Sequence, residues 1–325
     1  MTRTASKPPA SDGVTSRHAE RFAADLARLW PEGGRLGLAV SGGPDSLALL
    51  LLAQAAIPGR FAVATVNHGL RPEAAAECAA VEQACSERGI PCATLGVRLA
   101  RGNVQAEARA ARYAALARWA DREGLCALAT AHHADDQAET LVMRLNRASG
   151  LAGLAGIRPR GTVAGTRLPL LRPLLRWRRS ELAGIAARSG VAAAQDPSNA
   201  DDAYDRVRVR KALARADWLD VDAIAASAEH LADAGEAIEW MVEREMSEHL
   251  VMTDGGVRYE PLAPRVVAIC VVARIVEGFG GNARGGAVAR LVDALIAGSG
   301  GNLAGVAASV EDGGWVFRPE APRRT

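Results

Sequence analysis

Lysine is almost absent from this chain of 325 residues, which carries it only at positions 7 and 211. Arginine is therefore the default cation, so arginine-rich stretches alone do not identify a nucleic-acid surface. The five cysteines form no Cys-x-x-Cys pair, which excludes a zinc knuckle and gives no sign of a disulfide framework. The longest apolar stretch, Leu47–Ile57, is too short to cross a bilayer, and residues 1–20 lack the apolar core of a signal peptide. We expect a cytoplasmic protein without membrane contacts.

Two common nucleotide-binding fingerprints are also missing, namely Gly-x-x-x-x-Gly-Lys-Ser/Thr and Gly-x-Gly-x-x-Gly. Another glycine loop joins the apolar runs Leu36–Val40 and Leu47–Ile57, and its sequence is Ser41-Gly42-Gly43-Pro44-Asp45-Ser46. Two glycines allow a tight turn that exposes backbone N–H groups, while the serines and the following helix start add donors for phosphate. The pattern predicts a pyrophosphate cradle between a strand and a helix, the alternative being an ordinary polar turn.

Asp45 lies inside this loop, where a bare carboxylate would repel phosphate groups. A divalent cation between the two would remove that repulsion, so Asp45 is the predicted Mg²⁺ ligand.

Short apolar runs alternate with helical patterns of ten or more residues as far as about residue 189. This alternation predicts an α/β fold, a Rossmann-like parallel sheet with helices on both faces. From about residue 214 the sequence is alanine-rich and amphipathic, with helices predicted over 221–250, 264–277 and 286–296 and loops in the rest of the glycine-rich tract 278–305. We expect a mobile tail over 1–18, an ATP-binding catalytic domain over 19–213, and a smaller helical domain over 214–325.

A second polar cluster, His132-His133-Ala134-Asp135-Asp136-Gln137-Ala138-Glu139, follows the fourth predicted strand. Loops at the carboxyl ends of parallel strands face one crevice, so this cluster and the glycine loop should share it. On a helix starting near Asp135, the carboxylates of Asp136 and Glu139 lie three residues apart and can hold an ammonium ion. The alternatives are a plain helix cap or, less in keeping with adjacent histidines that point to opposite sides, a zinc site.

These motifs carry a resemblance. The glycine loop resembles that of the PP-loop ATP pyrophosphatases, and further motifs extend the likeness to the bacterial tRNA(Ile)-lysidine synthetases over residues 36–211, in a short form. Those motifs are Val66-Asn67-His68-Gly69-Leu70-Arg71, Glu107-Ala108-Arg109-Ala110-Ala111-Arg112-Tyr113, His132 to Thr140, and Arg172-Pro173-Leu174-Leu175.

The resemblance implies an ATP-dependent ligase that joins L-lysine to the wobble cytidine of an isoleucine tRNA with a CAU anticodon. The cytidine C2 oxygen would attack the α-phosphate of ATP, and the lysine ε-amine would then displace AMP. The loop residues Ser41, Gly42, Gly43, Pro44, Asp45 and Ser46 would bind ATP, and Arg112 would neutralise charge on phosphorus. Asp136 and Glu139 would receive lysine, while either one of these carboxylates or a neighbouring histidine such as His133 accepts its proton.

The basic residues form clusters despite the small net charge of +2. Residues 158–179 contain seven arginines and no acidic residue, and a second cluster spans residues 206–211. Such clusters are typical of a polyanion-binding surface, although Arg109, Arg112 and the others also fit a solvated face. The predicted tRNA contacts are Arg176, Arg178, Arg179, Arg206, Arg208 and Arg210. The expected partners are this tRNA, L-lysine and, as one option, a second copy of the chain.

Two positions depart from the family pattern. Val207 stands where the family usually has asparagine, and Ala148 replaces a glycine.

The competing functions are a PP-loop tRNA thiolase, which paired cysteines or an iron–sulfur cluster would favour, and a nucleotide- or tRNA-binding protein without catalysis.

Overall fold

The computed structural model describes residues 13–67, 69, 73–97, 104–194, 201, 203–283 and 285–320. They form two compact units, the first comprising residues up to Ser149 with Leu154–Glu229, and the second Gly150–Gly153 with the chain from His230 onward. This division lies inside a helix, and the predicted domain boundary at 213/214 stays a prediction. Within the described chain, no helix combines the length and the apolar character needed to span a bilayer.

The first unit is built on a six-stranded sheet of order β3-β2-β1-β4-β6-β5, in which all neighbours are parallel except β5 and β6. Along β2 the side chains alternate between two cores, with Phe61 and Val63 on one face and Ala62 and Ala64 on the other. The predicted α/β fold with helices on both faces is therefore confirmed. The strands are β1 (Leu36–Ala39), β2 (Phe61–Asn67), β3 (Cys92–Gly96), β4 (Ala127–Ala129), β5 (Arg160–Thr162) and β6 (Pro169–Leu171).

Helices precede β1 and connect most of these strands, and two more helices follow β6. They are α1 (Ser16–Leu29), α2 (Pro44–Ala56), α3 (Glu73–Ser86), α4 (Val104–Arg122), α5 (Ala134–Leu145), α7 (Arg179–Arg188) and α8 (Asp205–Arg215). The short helix α6 (Leu151–Leu154) also lies between β4 and β5 in the chain, but all of it except Leu154 is assigned to the second unit. Helix α2 lies against the core along almost its whole length, which explains its continuous apolar sequence.

Three local predictions need correction or fall outside the description. Helix α1 begins at Ser16, before the predicted end of the tail, because Thr15 caps it by accepting a hydrogen bond from the His18 amide at 3.2 Å. Residues 151–154 form the short helix α6, where glycine content predicts an irregular connection. The predicted turn at 196–199 lies outside the described residues.

The second unit contains helices, as predicted, and also an antiparallel sheet of order β7-β8-β11-β10-β9 that the sequence analysis does not anticipate. Hairpin turns at Asp254-Gly255 and Asp312-Gly313 join its strands, and Asp-Gly is a recognised hairpin signal that could have revealed them. The elements are α9 (Val221–His249), which the unit boundary crosses, α10 (Arg265–Gly278), α11 (Gly285–Ile296), β7 (Leu250–Thr253), β8 (Gly256–Tyr259), β9 (Gly301–Leu303), β10 (Val306–Glu311) and β11 (Gly314–Pro319).

Candidate active site

A cavity of about 780 Å³ opens at the carboxyl ends of β1 and β4. Strand order reverses between these neighbours, the place where open α/β sheets bind ligands. The glycine loop leaves β1 and the His132–Glu139 segment leaves β4, and residues of both line the cavity. The expectation that the two motifs share one crevice is confirmed by this geometry.

The glycine loop is shaped by its own serines. Gly42 has φ +86°, a left-handed conformation that favours glycine, and its carbonyl accepts a hydrogen bond from the Ala194 amide at 2.9 Å. The Ser46 hydroxyl accepts from the Ser41 amide at 3.1 Å and donates to the Gly43 carbonyl at 2.9 Å. Ser46 thus holds the turn, and the amides of the first turn of α2, which have no intrahelical acceptors, are presented at the cavity.

Asp45, which lines the cavity, contacts the buried His133. The Nδ1 atom of the buried His133 accepts from the Asp136 amide at 3.3 Å, so the ring carries its proton on the other nitrogen, Nε2. Nε2 lies 3.4 Å from Asp45 Oδ2 and 3.6 Å from Asp136 Oδ2. Asp45 Oδ1 is buried and has no hydrogen-bond partner among the described residues. His133 therefore orients one oxygen of Asp45 and leaves the other free to bind a ligand.

Asp135 connects α5 to α7. Its Oδ2 accepts from the Arg179 amide at 2.7 Å and from Arg178 Nε at 3.4 Å. Burial disfavours the charged form, but these donors outweigh it and lower the pKa of Asp135. This carboxylate is thereby committed to holding the two helices together.

The predicted lysine receptors are paired with arginines of α8 and with Arg179. Arg206 donates through Nη2 to Asp136 Oδ1 at 2.8 Å and through Nε to Glu139 Oε2 at 2.7 Å. Arg210 Nε donates to Glu139 Oε1 at 2.7 Å, and Arg179 Nη2 lies 3.5 Å from the same oxygen. Burial opposes ionisation of Glu139, yet the hydrogen bonds from Arg210 and Arg206 lower its pKa. Asp136 and Glu139 thus form an acidic face that binds cations, and in this structure the cations are guanidinium groups of the same chain.

Every arginine predicted to contact tRNA has an acidic partner within its own unit. The pairs are Arg176 with Glu229, Arg178 with Asp135 and Asp222, Arg179 with Asp136 and Glu139, Arg206 with Asp136 and Glu139, Arg208 with Asp205, and Arg210 with Glu139. Charge clustering in the sequence could not reveal most of these pairs, because every acidic partner except Asp205 lies more than 35 residues from its arginine along the chain.

A second set of basic residues lines the cavity without such partners. The Cζ atoms of Arg109 and Arg112, both on α4, lie 5.1 and 5.4 Å from the ring centre of Tyr113. No salt bridge joins either arginine to a described carboxylate. Burial lowers the pKa of Arg112 and of Arg172. Burial, with Arg172, Arg109, Arg206 and Arg112 nearby, lowers the pKa of His132 to about 3, so its ring is neutral.

Three residues in or beside the cavity were not among the predicted site residues, although all lie in motifs that carry the family resemblance. They are Tyr113 and His132, which line the cavity, and Arg172, which is buried beside them. The zinc alternative has no support, since the described residues contain no metal-binding group of three or more His, Cys, Asp or Glu side chains. The ring of His132 hydrogen-bonds instead through Nδ1 with the Thr130 hydroxyl at 2.9 Å.

Comparison with known proteins agrees with this architecture. A family model described as a PP-loop domain matches residues 14–216. The chain is 51% identical over 303 residues to the tRNA(Ile)-lysidine synthase of Novosphingobium aromaticivorans, covering 92% of this chain and 93% of that protein. It is 43% identical to the corresponding synthase of Zymomonas mobilis, covering 90% and 91%.

Among solved structures, the chain resembles the U34-tRNA thiolase NcsA of Methanococcus maripaludis, determined with its 4Fe-4S cluster. The TM-score is 0.55 at 17% identity, over 66% of this chain and 79% of the thiolase. At that identity the likeness shows a shared fold and nothing of the chemistry.

Proposed function

We propose a lysidine-forming ligase reaction for this chain, which belongs to the tRNA(Ile)-lysidine synthase family of PP-loop proteins. ATP would adenylate C2 of the wobble cytidine of tRNA(Ile) with a CAU anticodon, and the ε-amine of L-lysine would displace AMP. One observation supports this most, namely that the glycine loop and Asp136 of the acidic face line the same cavity, with Glu139 joined to Asp136 through Arg206. The reaction needs both chemistries within reach of one base.

The glycine loop supplies the ATP site in this proposal. Amides of the first turn of α2 and the positive end of that helix would hold the pyrophosphate oxygens. Asp45 suits Mg²⁺, because its Oδ1 is buried and unpartnered while His133 orients its other oxygen. The bound ion would neutralise charge on the phosphates. Arg112, which has no described carboxylate partner, would stabilise charge that develops on the α-phosphorus.

Asp136 and Glu139 would receive the lysine ammonium by exchanging it for Arg206 and Arg210. The ammonium would take over carboxylate oxygens that these two arginines now occupy, so Asp136 and Glu139 would keep a cationic partner. A free ammonium, with a pKa of ~10.4, is no nucleophile until it loses a proton. His132 is a weak acceptor because its pKa is depressed to about 3. The remaining acceptors are the carboxylates of Asp136 and Glu139, because His133 already accepts from the Asp136 amide through Nδ1 and carries its ring proton on Nε2.

The arginines of α7 and α8 would contact tRNA as part of the same rearrangement. Arg206 and Arg210, once displaced by lysine, become free to bind phosphate. Arg176, Arg178, Arg179 and Arg208 would likewise exchange protein carboxylates for the RNA backbone. We place the reaction in the cytoplasm, where tRNA, ATP and free lysine meet, and a homodimer stays a prediction.

The test is incorporation of labelled lysine. The full chain is incubated with ATP, Mg²⁺, labelled L-lysine and unmodified tRNA(Ile) with a CAU anticodon, and RNA-bound label, AMP and pyrophosphate are measured. We expect equal amounts of all three, with a transcript carrying uridine at the wobble position as the matched control. ATP binding without pyrophosphate release would favour a non-catalytic protein, and sulfur incorporation without lysine a thiolase.

A further inference from the structure

The arginines in and beside the cavity fall into two sets, according to whether they form salt bridges with carboxylates of the protein. Arg179, Arg206 and Arg210 are neutralised by Asp136 and Glu139. The other set, formed by Arg109, Arg112 and Arg172, has no salt bridge to a described carboxylate. Arg109 and Arg112 line the cavity, Arg172 is buried beside them, and burial lowers the pKa of Arg112 and of Arg172. Three positive charges gathered in this way call for an anion from outside the protein.

Two buried donors at this wall have no acceptor among the described residues. One is Arg172 Nε, although Nη1 of the same side chain donates to the Arg158 carbonyl at 2.6 Å. The other is the Tyr113 hydroxyl. The neighbouring guanidinium of Arg112 can only donate, so it cannot accept the hydroxyl proton. Buried donors without acceptors are rare in folded proteins and mark sites that a ligand completes.

His132 supports the same conclusion from the other side of the wall. It faces Arg109 and Arg112 from α4, Arg172 from the end of β6 and Arg206 from α8, and it hydrogen-bonds with Thr130 below it. Because the ring is neutral, it adds no further positive charge. Its Nδ1 atom pairs with Thr130, so Nε2 is the ring nitrogen that a substrate could contact.

We propose that Arg172 and Tyr113, together with Arg109 and Arg112, form a phosphate seat on elements other than the glycine loop. A phosphate group offers charge and several acceptor oxygens, which matches a set of cations with two unpaired donors. The phosphate comes either from ATP, at its α position, or from the RNA backbone beside the target nucleotide. The inference rests on the proposed function for the identity of these two sources.

The decisive variant is Tyr113→Phe, because it removes only an unpaired hydroxyl and keeps the ring. The melting temperature of the free protein should stay the same or rise, since no hydrogen bond is lost. Affinity for one phosphate source should fall roughly tenfold, the loss expected for a hydrogen bond to a charged group. Arg172→Lys, which keeps the charge but loses Nε, should weaken the same ligand.

Two matched controls separate binding from folding. Tyr259→Phe removes a buried hydroxyl that does donate, to Glu245 at 3.0 Å, and should lower the melting temperature without changing ligand affinity. Arg118→Lys changes an exposed arginine of the same helix as Tyr113 and should change neither.

Three measurements are made on the full chain: ATP affinity without tRNA, tRNA affinity without ATP, and the KM for lysine in the complete reaction. A fall in ATP or tRNA affinity in both variants supports the seat and names the source of the phosphate. Unchanged affinities, or a loss of stability alone, would overturn the proposed phosphate seat. A rise confined to the KM for lysine would also overturn it, because the site would then bind the carboxylate of lysine instead of a phosphate. Should the unaltered protein bind ATP and tRNA yet incorporate no lysine, the proposed function fails while these binding effects still decide the seat.

Discussion

The two units each bury a glutamate, but they satisfy it differently. Glu139 in the first unit is held by guanidinium groups of Arg206, Arg210 and Arg179. Glu245 in the second accepts from the Tyr259 hydroxyl and from the amides of Leu262 and Ala263, each at 3.0 Å. Side-chain cations can be exchanged for a substrate cation, whereas backbone amides cannot leave. The comparison separates a carboxylate suited to binding from one that fixes a turn.

The two buried tyrosines repeat the contrast. The hydroxyl of Tyr259 is paired with Glu245, and burial together with this carboxylate raises its pKa. The hydroxyl of Tyr113 has no acceptor among the described residues. The buried tyrosine of the second unit is thus satisfied within the protein, while that of the first leaves a hydrogen-bonding group for a ligand at the cavity. Each experiment below would break or sharpen this distinction.

The largest effect is expected from Asp45→Asn. It keeps the shape of the loop but removes the charge that would hold Mg²⁺, so pyrophosphate release should fall roughly 10³-fold. Because Oδ1 has no hydrogen-bond partner in the part of the chain that the structure describes, the melting temperature should scarcely change. The exposed Asp121→Asn serves as control. Full activity in the Asp45 variant would refute the metal role.

Next come Glu139→Gln and Glu245→Gln, compared by chemical denaturation. Removing the Glu139 charge leaves Arg206 and Arg210 facing each other in a partly buried site, which should cost about 3 kcal/mol. Removing the Glu245 charge weakens three hydrogen bonds and should cost about 2 kcal/mol. The cost at Glu139 should shrink in high salt and that at Glu245 should not, because only the former depends on ion pairs. Equal salt dependence would remove the distinction.

The third effect concerns acid sensitivity. His132 has its pKa lowered from 6.5 to about 3, so between these values the unfolded chain binds a proton that the folded chain does not. Its contribution to stability is therefore present above pH 6.5 and is lost as pH falls towards 3, by up to about 2 kcal/mol at pH 5. His132→Gln should flatten this part of the unfolding profile. An unchanged slope between pH 7 and pH 5 would show that the ring titrates normally.

The smallest effect is a local one that both units share. Ala148 in the first unit and Ala304 in the second have φ of 52° and 51°, where a β-carbon is strained. Ala148→Gly and Ala304→Gly should each raise stability by about 0.5 kcal/mol, since relief of strain exceeds the added chain entropy. Thermal melts of both variants check this. A decrease in either would mean that the alanine side chain makes a contact worth more than the strain.

Much of the first unit follows from the sequence. Contiguous sequence patterns predict the glycine loop with Asp45, the acidic face after β4 and the alternation of strands and helices. Each of these patterns can be read without knowledge of the fold. The loop sequence determines its own geometry, because Ser41, Gly43 and Ser46 hydrogen-bond within six residues. Val207, the departure from the family pattern, is buried in α8 and packs there as an apolar side chain.

The five-stranded sheet of the second unit was missed because its short strands lie among glycines, which favour a loop assignment when periodicity is weak. Its hairpins depend on pairing between strands, and the pairing of β8 with β11 joins residues far apart in the chain.

The sequence alone determined the glycine loop and the acidic face that we assign to phosphate and ammonium, since each consists of residues close together along the chain. Only the tertiary structure decided which arginines are available. Arg206 and Glu139 are 67 positions apart and Arg210 and Glu139 are 71 apart, yet each pair lies in direct contact. Charge is a property of composition, but its neutralisation depends on distance in space, which chain folding sets.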